Sequence, residues 1–175
     1  EDYFNEILVP GEDMGERFNY LYRQLGFVVC EVVDRLVEEF SVSEFEPVAF
    51  ELKIDNDAEI PAYEIPLSDG GTLKLHGSID RVDVMTQDDE SFVRIVDYKS
   101  SYKDLDLNQV YAGLQIQLIT YLDAICEQSD LEASGVLYMG LVDNVVKNAK
   151  NLSEEEIANK IRNNFKMKGL VLADI

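Results

Sequence analysis

The sequence predicts an α/β domain: a central sheet with helices packed on its faces. Three observations predict it. An apolar stripe at three- and four-residue steps runs through residues 16–40. Two segments of strand-like pattern, 72–84 and 92–99, flank a polar turn. A second helical stripe at 107–127 is followed by a short apolar run at 135–142.

Taken in chain order, the first stripe comprises Phe18, Leu21, Tyr22, Leu25, Val28, Val29, Val32, Val33, Leu36, Val37 and Phe40. Its period outweighs its β-branched content, and Asp13-x-x-Glu16 is a plausible capping box at its start. Residues 47–54 alternate and read as a strand. Residues 55–71 carry Pro61, Pro66 and Ser68-Asp69-Gly70-Gly71, which predicts a loop, a short edge strand and a tight turn. The polar turn of the strand pair is Thr86–Ser91. Asp106-x-x-Gln109 fits a cap on the second helix, whose face carries Leu107, Val110, Tyr111, Leu114, Leu118, Tyr121, Leu122 and Ile125. Residues 135–142 read as an interior strand. Ser153-x-x-Glu156 is a capping box that predicts a last helix from 154 to about 165.

The 175 residues suit one domain with a buried core, and 46% hydrophobic with 29% charged residues is a globular balance. No apolar run approaches the roughly 18 residues of a membrane span, and no secretion signal is visible. The start without Met and the apolar end suggest a single domain, 1–175, taken from a longer chain. Cys30 and Cys126 are expected to be reduced core residues, and no His/Cys cluster argues for zinc. The net charge of −20 argues against a free-standing duplex binder, because phosphate contacts need cations. Either the domain never meets nucleic acid, or basic surfaces elsewhere deliver it.

Packing selects one register for the strand pair. Val84 opposite Val93 and Val82 opposite Ile95 keep the apolar residues on one face, with Asp83 opposite Arg94 on the other. The same register sets Asp80 opposite Asp97, with Cβ atoms about 5 Å apart, and Lys99 two residues on shares their face. Opposed carboxylates beside apolar neighbours require a proton, a cation or an ammonium to offset them. The bland alternative is a solvated acid pair at a fraying hairpin end, and a bulge at Gly77 would break the register.

Gly77-Ser78-Ile79-Asp80-Arg81-Val82-Asp83 resembles the G-x-I-D-R-[IV]-D segment of the RecB-like branch of the PD-(D/E)xK nucleases. Asp97-Tyr98-Lys99-Ser100-Ser101 is similar to that branch's D-Y-K-[ST] segment, and Gln117 with Tyr121 to its Q-x-x-x-Y motif. From about residue 45 to the end, the segments Gly113–Asp123 and Phe165–Leu172 resemble the nuclease domain of the AddB (RexB) family. The resemblance implies a restriction-endonuclease-like fold with a mixed central sheet flanked by helices. It implies a cytoplasmic, metal-dependent DNA exonuclease of an AddAB-type helicase–nuclease. Such an enzyme acts on a single strand from an unwound duplex during double-strand break repair and recombination. Its partner would be an AddA-type helicase subunit. By the same resemblance Asp80, Asp97 and the backbone carbonyl of Tyr98 hold Mg²⁺ or Mn²⁺. Lys99 joins the two aspartates as a catalytic residue, and Gln117 and Tyr121 position DNA.

The sequence departs from the family in several places. RecB-like nucleases place a metal-binding His on an early helix, whereas His76 stands just before the glycine motif and reads as an ordinary strand residue. The iron–sulfur cluster of AddB-type proteins is expected outside this fragment, since neither Cys30 nor Cys126 fits its cysteine pattern. Ser78 stands where the family often has Arg, and Glu51 reads as a plain strand glutamate or an acid near the metal. A non-catalytic nuclease-fold module that scaffolds or holds DNA is the alternative function. An acidic protein-interaction domain is a further rival.

Overall fold

The computed structural model describes residues 15–101, 103–141 and 152–173. In chain order it contains α1 (Glu16–Val42), β1 (Glu46–Ile54), β2 (Tyr63–Pro66), β3 (Thr72–Leu75), β4 (Gly77–Gln87) and β5 (Glu90–Lys99). There follow α2 (Leu107–Tyr111), α3 (Gln117–Cys126), β6 (Glu132–Gly140), α4 (Glu154–Asn164) and β7 (Lys168–Val171). Five strands form one sheet in the order β1-β4-β5-β6-β7. The β5–β6 pair is parallel and the other pairs are antiparallel, so the sheet is mixed, as expected. β2 and β3 form a separate ribbon.

Alternation along the central strands divides the molecule into two layers of packing. Val82, Val93, Ile95, Val136 and Tyr138 meet Leu118, Leu122, Ala124 and Ile125 of α3 on one face. Val96, Leu137 and Met139 meet Val32 and Leu36 of α1 on the other. Val93, Ile95 and Val96 are fully buried, each worth about 1.5–3 kcal/mol relative to exposure.

The β4–β5 hairpin has the anticipated register, with Val82 on Ile95, Asp83 on Arg94 and Val84 on Val93. Its turn is tighter than predicted. The strands run to Gln87 and Glu90, leaving Asp88 and Asp89 at φ 52° and 68°, the left-handed pair that matches strand twist. Asp106 caps α2 as expected, accepting from the Asn108 N–H at 2.9 Å. Ser153 and Glu156 form the complete capping box on α4.

Other expectations are corrected. The helix predicted over 107–127 is two helices, because the chain turns at Gly113 with φ 76°. The strand predicted over 72–84 breaks at His76, and its first part pairs with β2. β7 has no counterpart in the sequence pattern: four residues that include a glycine give no period to read. Cys30 is exposed rather than in the core, Cys126 is half-buried, and both are free thiols. At the start of α1, Asp13 lies outside the described residues, and Gly15 at the N-cap position offers no side-chain cap.

Candidate active site

Pairing between β4 and β5 starts at Arg81 and Val96, one pair short of Asp80 and Asp97. Asp80 is therefore not a ladder partner of Asp97. Its carboxylate instead accepts the backbone N–H of Tyr98 at 2.7 Å. The alternation of β4 also breaks here, since Ile79 and Val82 both join the α3-side core. On the neighbouring strand, the regular β1–β4 pairs fall on either side of Glu51, which has φ 50°. Among the described residues Glu51 takes only a long bond from Ser78, at 3.4 Å.

Asp97 is buried at 7% exposure, on the α3 side of the sheet beside Tyr138 of β6. Burial pushes its pKa up and the charge of Asp80 pushes it further, while Lys99 and Lys103 oppose the shift without cancelling it. Lys99 Nζ stands 2.5 Å from Asp97 Oδ2. That oxygen is hidden from solvent and has no hydrogen bond of regular geometry, so the ion pair is its polar contact. Lys99 remains partly accessible.

Gln117 and Tyr121 lie one turn apart on α3, with Gln117 Nε2 donating to Tyr121 Oη at 3.3 Å. Gln117 is exposed and Tyr121 half-buried at the margin of the core. The tyrosine explains why position 77 is glycine. A Cβ there would lie 1.8 Å from Tyr121 Oη and 2.5 Å from Cζ. The phenol thus rests directly on the backbone three residues before Asp80.

His76 lies between β3 and β4 rather than in a strand as expected, with Nδ1 3.0 Å from Asp55 Oδ1. Among the described residues no group of three His, Cys, Asp or Glu side chains converges in metal-binding arrangement. The carboxylates of Asp80 and Asp97 and the Tyr98 carbonyl that the resemblance names are all oxygen donors, a set that suits a hard cation such as Mg²⁺ or Mn²⁺. The buried Asp97 oxygen, matched among the described residues only by an ammonium, is the observation that fits a cation.

Two features are invisible in the sequence pattern. Lys103 stands 4.7 Å from the Tyr138 ring centroid, close enough to influence Asp97; it follows the strand in irregular chain and carries no pattern. On the opposite face, Arg81 is fully buried and donates to Asp83 at 2.8 Å, Tyr98 Oη at 3.2 Å and Glu39 of α1 at 3.3 Å. Arg94 also meets both Asp83 and Glu39. The expected Asp83–Arg94 pair belongs to this larger network. The parts that Arg81, Tyr98 and the distant Glu39 play in it were not foreseen.

The PD-(D/E)XK nuclease superfamily model matches residues 2–172. The B component of the ATP-dependent helicase/deoxyribonuclease of Clostridium novyi (strain NT) is 43% identical over 90% of this chain and 14% of its own length. The proteins of the same name from Acetivibrio thermocellus and Listeria welshimeri are 41% and 39% identical, over 100% and 97% of this chain and 16% and 15% of theirs. The chain thus spans about one-seventh of the curated relatives it matches. With its motifs, mixed sheet and matched length in agreement, the chain belongs to the PD-(D/E)XK nuclease superfamily and is homologous to part of these helicase/deoxyribonuclease B components.

Proposed function

We propose that this domain hydrolyses DNA phosphodiester bonds, cutting one strand of an unwound duplex as the nuclease part of an AddAB-type helicase–nuclease. An AddA-type helicase subunit would be its partner, and processing of broken DNA ends its setting. The relatives' name, helicase/deoxyribonuclease, supports the assignment. The observation that carries it is the splayed hairpin end: the Asp80 carboxylate drawn against the Tyr98 N–H, beside a buried Asp97 ion-paired to Lys99.

In this reading Asp80, Asp97 and the Tyr98 carbonyl hold Mg²⁺ or Mn²⁺. When bound, the cation supplies Lewis-acid polarisation of the scissile phosphate and lowers the pKa of an attacking water. Lys99 has three N–H donors and spends one on Asp97. The others are free to orient the water and to stabilise charge growing on the phosphate oxygens. Gln117 and Tyr121, hydrogen-bonded to each other with the tyrosine seated on Gly77, offer an amide and a phenol to the DNA backbone.

Manganese titration of the protein tests the metal roles: binding is expected in the wild type and lost in Asp80→Asn and in Asp97→Asn. In the intact helicase–nuclease, Lys99→Ala is expected to lower the cleavage rate by about 10²–10³ while ATP-driven unwinding continues. Wild-type digestion by that variant would remove Lys99 from the mechanism. One observation favours the rival reading, a non-catalytic module that holds DNA. No third His, Cys, Asp or Glu joins Asp80 and Asp97 among the described residues. Unchanged strand cleavage by the Asp80→Asn complex would favour that rival.

A further inference from the structure

A second ammonium shares the ring that carries Lys99. Lys103 Nζ stands 4.7 Å from the Tyr138 centroid, and Lys99 Nζ 5.9 Å from the same centroid. Lys103 is half-buried in the irregular segment that follows β5. The next residue, Asp104, meets Lys168 of β7 at 3.3 Å, and Lys168 is the ladder partner of Tyr138. That ion pair ties the segment to the far edge of the sheet and keeps Lys103 over the ring.

This arrangement is costly in isolation. Two ammoniums near one ring repel each other, and the quadrupole of the ring offsets only part of the repulsion. Asp97 is already matched by Lys99, and Asp104 is engaged with Lys168. In a chain with 15 cationic side chains against 35 acids, two lysines on one ring stand out. Asp80 and Asp97 balance Lys99 and Lys103, so a divalent ion between the aspartates would leave the cluster doubly positive. Two successive phosphates of one strand would neutralise that charge.

We propose that Lys103 is a substrate-binding residue that holds the phosphate next to the one being cut. The domain thereby grips single-stranded DNA by two neighbouring phosphates, Lys99 serving the reacting one and Lys103 the adjacent one. The assignment rests on the nuclease reading given above and adds a residue to it.

The test is steady-state cleavage of a single-stranded oligonucleotide by the intact helicase–nuclease, measured over a range of salt concentrations. Lys103→Ala is expected to raise KM roughly tenfold, as loss of one charged hydrogen bond would. Its kcat should stay within about threefold. The slope of log KM against log salt should fall by about 0.7, the value for one single-strand phosphate contact. Lys103→Arg should restore both quantities. Unchanged KM and slope, or a fall in kcat alone, would overturn the assignment of Lys103. Asp80→Asn, run alongside, keeps the two ideas apart. If it is inactive, the nuclease reading stands whatever Lys103 does. If it cleaves like the wild type, that reading falls and this inference falls with it.

Discussion

Asp97 is a buried carboxylate ion-paired to Lys99. Burial first, and then the charge of Asp80, raises its pKa above the ordinary carboxylate value. For an acid shifted in this direction the folded state binds the proton more tightly than the unfolded state. The associated stabilisation is therefore present below the unfolded pKa and is lost as pH rises through the folded one. Without added divalent cation, Asp97→Asn is expected to raise the urea midpoint of unfolding at pH 7. The gain should shrink as pH is lowered toward about 4, the ordinary range of Asp. A variant no more stable than wild type at pH 7 would show that the Lys99 ion pair fully offsets the burial. The Asp97–Lys99 contact was legible in the sequence because a strand places alternate residues on one face, whereas Asp80 lies beyond the pairing that its expected place opposite Asp97 assumed. The Tyr98 N–H bond to Asp80 was not, since it arises only where the ladder stops.

At the scale of elements, the hairpin was readable because its apolar pairs have a single face-consistent register, which the structure adopts. The helix break at Gly113 was not, since apolar residues continue in helical spacing across the turn. The contact between β4 and α3 is the joint on which the site depends, and it is tight. Tyr121 Oη occupies the space a Cβ would need at Gly77. Gly77→Ala is expected to destabilise the protein by about 1–3 kcal/mol, the usual cost of overpacking. Pairing it with Tyr121→Ala should cost less than the sum of the two single changes, because the clashing ring is gone. Chemical denaturation of the four species measures this coupling. Strict additivity would mean that the phenol does not rest on that backbone.

For the whole molecule, the sequence revealed a long amphipathic first helix but not how little of it the sheet covers. Its apolar stripe is wider than its contact. Val32 and Leu36 join the core and Glu39 reaches Arg81 and Arg94, whereas Leu21, Leu25, Val29, Val33 and Val37 form an exposed ridge. The contacts that fasten α1 thus lie in its C-terminal half. Among the described residues the N-terminal half shows no core contact of that kind and no side-chain cap. The Arg81–Asp83–Arg94–Glu39 network secures the C-terminal half, because breaking a buried ion pair is expensive. Amide hydrogen exchange should therefore find Val32–Phe40 protected like the central strands. Glu39→Ala should bring fast exchange to that stretch while β5 and β6 stay protected. Protection of that stretch unchanged in the variant would remove the network from that role.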